Sequence, residues 1–171
     1  MSDSVLTIEK IEKTQLNGIF NEFLLSSDFE IIYSDYLKHP YIVKISDGVR
    51  MFELHYILKN ISTGGWEEKK KIKRIQIGNI SDGLVPTNKI RTHMLCGLVR
   101  CENEYLLVVW NSYLYINHNT NRSCYISNDS LIKCAKKGYI MVHEFNQDIW
   151  LCNKEHFGLL IRDYISYHFV E

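Results

Sequence analysis

Hydrophobic side chains recur along this chain with two different spacings, which predict a mainly β-stranded protein with short helices near its ends. Near the amino end, Leu16, Ile19, Phe20, Phe23 and Leu24 recur at helical spacing. These side chains share one face of a helix, so they predict a short amphipathic helix that packs on the rest of the domain.

The next part of the chain contains two predicted β-hairpins. In the first hairpin, Tyr41 to Ile45 and Met51 to Leu58 flank the turn signal Ser46-Asp47-Gly48. In the second, the apolar runs Met94 to Val99 and Tyr105 to Trp110 are joined by a short polar connection.

Further strands are predicted at Arg74 to Ile77, at Tyr113 to Ile116, at the start of CYISNDSLIKCAKKGYI and within FNQDIWLCN. A helix capped at Asn128 or Asp129 is predicted to end at Gly138. One face of a last helix carries a final apolar set: Phe157, Leu160, Ile161, Tyr164 and Ile165. The pattern therefore predicts a single α+β, β-dominated domain, with residues 1–37 as amino-terminal helix and lead-in and 38–171 as its body.

Composition agrees with a folded domain, because 46% of the 171 residues are hydrophobic and 11 Tyr, 7 Phe and 3 Trp are present. The formal net charge is zero, with 20 basic and 20 acidic residues. The charge is uneven, however, since five of the first six residues of Lys69 to Ile77 are cationic. Gly64, Gly65 and Trp66 precede this run. We interpret it as an arm that grips a nucleic-acid backbone.

The five cysteines form no CxxC pair, and no secretory signal or apolar run of membrane-spanning length is evident. These features predict reduced thiols in a soluble, cytoplasmic protein with no membrane partner. No phosphate-binding glycine loop, nucleophile elbow or HExxH motif occurs, so no catalytic residue, cofactor or metal is predicted.

The order of these parts resembles the B-three-like DNA-recognition pseudobarrel domain of restriction endonucleases. The resemblance covers about residues 38–165 and rests on HPYIVKISDG, on MFELHYILKNISTGG followed by RIQI, on NHNTNRSCYIS, and on the closing strand and helix. It implies a seven-stranded open pseudobarrel with short flanking helices. It also implies two arms that enter the DNA major groove, here Asn60 to Arg74 and Asn117 to Ser123, with Trp66-Glu67-Glu68 as a departure inside the first arm.

The resemblance and the residue chemistry together predict sequence-specific binding of double-stranded DNA, with a nuclease or motor domain or subunit as partner. Lysines neutralise phosphates, whereas Arg, Asn, Gln and His read base edges and aromatic side chains stack on bases. The candidate DNA-binding residues are Trp66, Lys69, Lys70, Lys71, Lys73, Arg74, Gln76, Asn117, His118, Asn119, Asn121, Arg122 and Ser123.

Three alternatives stay open at the level of the sequence. Glu67-Glu68-Lys69 with Asp47 upstream resembles part of a metal-dependent nuclease motif. A protein-interaction barrel without a nucleic-acid role would agree with the neutral total charge. A zinc site is a weaker alternative, with ligands drawn from Cys134, His143, Cys152 and His156.

Overall fold

The structure is a computed structural model, which describes residues 8–63, 71–77, 91–101, 103–115 and 122–168. Three α-helices and nine β-strands lie in this part of the chain. The helices are α1 (Leu16–Ser26), α2 (Asn128–Lys137) and α3 (Phe157–His168). The strands are β1 (Glu30–Asp35), β2 (Tyr41–Ser46), β3 (Met51–Asn60), β4 (Ile72–Ile77), β5 (Arg91–Cys101), β6 (Glu104–Trp110), β7 (Arg122–Ser127), β8 (Tyr139–Glu144) and β9 (Gln147–Cys152).

Seven strands form one mixed sheet in the order β1-β2-β3-β5-β6-β9-β8. All neighbouring pairs in it are antiparallel except β3 and β5, which run parallel. The chain passes through β4 on its way from β3 to β5, which gives it the crossover that a parallel pair requires. β4 and β7 form a separate antiparallel pair, the β4–β7 ribbon.

The middle of the sheet is covered on both faces. All residues from Thr92 to Val99 in β5 and from Leu106 to Trp110 in β6 are buried. A strand with two covered faces favours apolar side chains at successive positions. Burial on both faces therefore explains the continuous apolar runs in β5 and β6.

Helices α1 and α3 form the layer on one face of the sheet. The ring of Phe20 in α1 stacks on Tyr56 of β3, with 4.2 Å between their centroids. Phe157, at the start of α3, meets the rings of Phe20 and Phe23 edge-on at 5.5 and 6.0 Å. These aromatic contacts join α1 and α3 over the same face of the sheet, so both helices belong to one core.

The β4–β7 ribbon and α2 form the layer on the opposite face. Ile75 of β4 and Cys124 of β7 are fully buried against the sheet. Gly97 of β5 permits this close approach, because a Cβ atom there would lie 2.7 Å from Cγ1 of Ile61 and 2.9 Å from Cγ2 of Ile75. The protein therefore has three layers, with the ribbon on the outside.

The structure confirms both predicted hairpins, the strand in RIQI, the strand in FNQDIWLCN and all three helices. It corrects the start of α2. Ser127 is the N-cap, because its backbone is extended and its Oγ accepts a hydrogen bond from the N–H of Ser130 at 3.1 Å. The predicted caps, Asn128 and Asp129, lie inside the helix.

The strand predicted at Tyr113 to Ile116 is wrong over its described part, because Ser112–Tyr115 form a 3-10 turn. The side chain of Asn111 accepts a hydrogen bond from the N–H of Tyr113 at 3.1 Å. The backbone carbonyl oxygen of Asn111 accepts another hydrogen bond, from the N–H of Leu114. An asparagine that satisfies the next backbone groups in this way starts a turn and prevents a strand.

The fold is α+β and dominated by strands, as predicted. Its sheet is not closed into a barrel, and β1 and β8 are the strands at its two edges. The seven-stranded open pseudobarrel that the resemblance implies stays a prediction. Among the described helices, none combines the length and the apolar character that crossing a lipid bilayer requires.

Candidate nucleic-acid interface

The β4–β7 ribbon has one face on the core and one face away from it. In its antiparallel register Ile75 lies opposite Cys124, and both are buried. Arg74 lies opposite Tyr125 on the other face, where both side chains are partly exposed. Because directly opposite residues of an antiparallel pair share a face, the outer face of the ribbon consists of alternate residues. Its members are Ile72, Arg74, Gln76, Ser123, Tyr125 and Ser127.

Arg74 has the most constrained geometry on this outer face. Its Nη1 donates a hydrogen bond to the hydroxyl of Ser123 at 3.0 Å. Its backbone N–H and C=O bond to Ser62 at 2.9 and 2.8 Å, on the side of β4 that faces away from β7. Both backbone groups of Arg74 are therefore bonded to Ser62, and the direction of its guanidinium is set by Ser123.

Gln76 and Tyr125 lie beside Arg74 on the same face. Gln76 is exposed. Tyr125 is partly buried against Phe145, with 5.7 Å between the ring centroids. Sequence reasoning missed Tyr125, although its position two residues after Ser123 would place it on the outer face once Cys124 is assigned to the core. The face thus combines a planar cation, an amide and an aromatic ring.

Lys71 and Lys73 differ sharply in exposure. Lys71 is exposed, and its carbonyl oxygen accepts a hydrogen bond from the N–H of Asn128 at 2.8 Å. Lys73 lies opposite Ile126 on the inner face and is only 1% exposed. Burial lowers its pKa. A buried ammonium is poorly placed to reach a phosphate. The contact of Lys73 with phosphate therefore stays a prediction.

The other predicted arm meets the ribbon at Arg122 and Ser123. Arg122 is exposed, and its Nη1 donates a hydrogen bond to the carbonyl oxygen of Leu114 at 3.3 Å. Its guanidinium lies 4.9 Å from the ring centroid of Tyr115. Seven predicted site residues lie outside the described residues: Trp66, Lys69, Lys70, Asn117, His118, Asn119 and Asn121.

The flanking residues of the two predicted arms lie at opposite ends of the ribbon. Ile72 is opposite Ser127 at one end, and Ile77 is opposite Arg122 at the other. Residues 64–70 connect to the first end and residues 116–121 to the second. A six-residue strand spans about 17 Å, so the two points of attachment are separated by roughly that distance.

The alternative sites receive little support from their described members. Asp47 accepts hydrogen bonds from the N–H groups of Val49 and Arg50 at 2.9 and 2.7 Å, and from Nη2 of Arg162 at 3.1 Å. The backbone bonds from Arg50 and Val49 lower its pKa to about 2. This carboxylate closes the β2–β3 turn, and the other members of the nuclease motif, Glu67-Glu68-Lys69, lie outside the described residues.

The five cysteines are buried and form no disulfide. Desolvation raises the pKa of the thiols of Cys124 and Cys134 to about 12, so they remain protonated. Within the described ranges, no group of three or more His, Cys, Asp or Glu side chains is arranged to hold a metal ion. His143 instead contacts Asp148, with Nδ1 2.9 Å from Oδ1.

A protein-family model, methylase-associated X1, matches residues 52–161 of the chain. The chain belongs to this family. No curated protein and no solved structure gives a significant match. The methylase-associated X1 match runs from the second residue of β3 into α3, so it includes the whole ribbon and the centre of the sheet. The family's description suggests a role in a restriction-modification system.

Proposed function

We propose that this methylase-associated X1 domain binds double-stranded DNA sequence-specifically through the major groove, as the target-recognition module of a restriction-modification system. The outer face of the β4–β7 ribbon makes the base contacts. A nuclease or motor domain or subunit supplies the catalytic step. We propose further that its fold is a variant of the open pseudobarrel found in the recognition domains of restriction endonucleases.

The observation that carries the proposal is the fixed guanidinium of Arg74 on an outward-facing antiparallel ribbon. A two-stranded ribbon fits the major groove of B-DNA. Arg74 uses one of its five N–H donors on Ser123, which orients the planar group and leaves others for a base edge. A guanidinium in a fixed direction can bond to O6 and N7 of guanine together. Ser123 is therefore a positioning residue.

Two other side chains of the ribbon have separate tasks. Gln76 lies two residues from Arg74 on the same face, and its amide can pair with N6 and N7 of adenine. Lys71 is exposed at the end of the ribbon, where a flexible ammonium suits a phosphate and not a base.

The residues of the two arms complete the proposed interface. Lys69 and Lys70 add phosphate contacts, and Trp66 stacks on a base. The side chains of Asn117, His118, Asn119, Asn121 and Arg122 extend the base readout.

Arg74→Lys tests the proposal, because lysine keeps the charge and removes the planar pair of donors. The preferred site is first selected from a random duplex library with the wild-type protein. The variant should lose about 1 to 3 kcal/mol of binding free energy on that site. Its affinity for scrambled duplex and its salt dependence should stay unchanged.

Arg50→Lys is the matched control, since Arg50 is exposed in the β2–β3 turn. It should bind both duplexes as the wild type does. Equal losses on preferred and scrambled duplexes in Arg74→Lys would assign Arg74 to the backbone. Absence of any wild-type binding to duplex DNA at low salt would refute the proposal itself.

A protein-interaction module is the second candidate function, favoured by exposed apolar side chains beside one edge of the sheet. Ile32 and Tyr33 on edge strand β1 are 50% and 51% exposed. Leu37, which follows β1, and Val49, in the β2–β3 turn, are 93% and 90% exposed. An edge strand with such side chains can pair with another chain. A low-salt mobility-shift assay on duplex DNA distinguishes the two candidates.

A further inference from the structure

A cleft of about 400 Å³ lies beside the ribbon, between the amino-terminal segment, strands β2 and β3, and β4. Gln76, on the outer face of the ribbon, forms part of its wall. Ser62, which bonds to the backbone of Arg74, forms another part. The cleft is therefore continuous with the proposed base-reading face.

Three lysines from two distant parts of the sequence line this cleft. They are Lys10, Lys13 and Lys59, and among the described residues of the lining the one acidic side chain is Glu12. Among the residues that the structure describes, none of the three lysines forms an ion pair. Burial and the charge of Lys13 both lower the pKa of Lys59. The positive charges of these lysines thus repel one another, and a bound anion would offset that repulsion.

Two neutral side chains of the cleft, His39 and Asn60, are fixed in place by hydrogen bonds to the backbone. His39 is held neutral, because burial and the nearby charge of Lys59 lower its pKa to about 4. Its Nε2 accepts a hydrogen bond from the N–H of Leu58 at 3.2 Å, so Nδ1 carries the proton. Asn60 bonds to both backbone groups of Ile11 and thereby fixes the amino-terminal segment to β3.

We propose that this lysine cleft binds phosphate groups, and that those phosphates belong to the backbone of the DNA whose bases meet the ribbon. This inference rests on the proposed function for the source of the phosphate, whereas the binding of phosphate itself rests on the cleft alone. Lys59 lies inside the part of the chain that the family model matches, and Lys10, Lys13 and His39 lie before it. The amino-terminal segment therefore adds backbone affinity to a recognition face made by the family domain.

The test uses a double variant of the full chain, Lys13→Gln with Lys59→Gln, and a control, Lys154→Gln. Lys154 is exposed in the turn before α3 and does not line the cleft. The double variant should lose affinity by the same factor on preferred and scrambled duplexes. Its plot of log affinity against log salt should flatten by roughly 0.9 unit for each lost contact. The control should keep the wild-type slope and affinity.

Inorganic pyrophosphate is the second probe, measured by thermal unfolding. It should raise the Tm of the wild type and of Lys154→Gln and leave the Tm of the double variant unchanged. The double variant without ligand should unfold at the wild-type Tm or above it, because the repulsion between two lysines is gone. That result also shows that the variant folds.

The outcomes separate the two proposals. A double variant that binds duplex with the wild-type slope refutes the contact of the cleft with the DNA backbone and leaves ribbon binding intact. A wild type that pyrophosphate stabilises through these lysines, but that binds no duplex, refutes the DNA-binding function and supports a cleft for a free phosphate-bearing ligand. A wild type that pyrophosphate does not stabilise, and whose salt slope does not depend on these lysines, refutes the inference.

Discussion

At the scale of single residues, the alternation of β4 divides the basic run into side chains with different tasks. Lys73 lies on the inner face with Ile75, whereas Arg74 lies on the outer face beside Ser123. The sequence predicted the strand and its cations but treated Lys73 as part of the exposed arm. Residues two apart in a strand share a face, so the spacing placed Lys73 on the side of Ile75, but a charged side chain is seldom expected to be buried.

The contrast between Lys71 and Lys73 gives a prediction. Lys71→Gln should flatten the salt dependence of DNA binding by roughly 0.9 unit, because an exposed ammonium contacts phosphate. Lys73→Gln should leave that slope unchanged, because its side chain is 1% exposed. Both variants are measured on one scrambled duplex, with circular dichroism to verify folding. A flattened slope in a folded Lys73→Gln variant would contradict the position of Lys73.

A second prediction concerns His93, which lies next to His55 with 4.9 Å between ring centroids. His93 is 1% exposed, and burial followed by the charge of His55 lowers its pKa to about 4. The unfolded chain binds this proton near pH 6.5, and the folded protein binds it only near pH 4. Stability therefore falls as the pH decreases from 6.5 to 4, by up to about 3 kcal/mol for this group.

His93→Gln should remove that part of the acid sensitivity. The measurement is the free energy of unfolding in urea at several pH values, with the slopes of variant and wild type compared between pH 6.5 and 4. Below pH 4 the two slopes should coincide. Identical slopes above pH 4 would mean that the folded protein binds this proton as readily as the unfolded chain.

At the scale of elements, the sequence predicted helices and strands correctly where the apolar pattern was long and one face of the element packs on the core. The hairpins and helices followed from apolar runs and turn residues, and Gly138 ends α2 as expected. The strand predicted at Tyr113 to Ile116 is a 3-10 turn over its described part, where the side chain of Asn111 accepts a hydrogen bond from the N–H of Tyr113. Short apolar runs do not distinguish these outcomes.

The packing of the ribbon on the sheet gives an element-scale prediction. Gly97→Ala should destabilise the protein by about 1 to 3 kcal/mol, because the new methyl group would overlap with Ile61 and Ile75. Gly18→Ala is the matched control, since nothing lies within 4 Å of a Cβ atom at that position of α1. It should stabilise the protein by about 0.5 to 1 kcal/mol. Urea denaturation of both variants measures the two opposite effects.

At the scale of the whole molecule, the order of strands could not be derived from the sequence. The parallel pairing of β3 with β5 joins segments that no local pattern connects, and it leaves β4 to form the ribbon with β7. The lysine cleft was missed for the same reason. Lys13 and Lys59 are brought together only when the amino-terminal segment packs against the end of β3.

The division of tasks between this domain and its partner gives the last prediction. The chain should bind duplex DNA without cutting it in the presence of Mg²⁺, because the described member of the nuclease motif, Asp47, is engaged in the β2–β3 turn. Incubation with supercoiled plasmid and Mg²⁺ should therefore produce no nicked or linear product. Asp47→Ala should lower stability through the loss of these turn bonds, and it should leave the plasmid result unchanged. Cleavage by the wild type that disappears in a folded Glu67→Ala variant would instead assign the nuclease to this chain. A separate catalytic domain or subunit would then not be required.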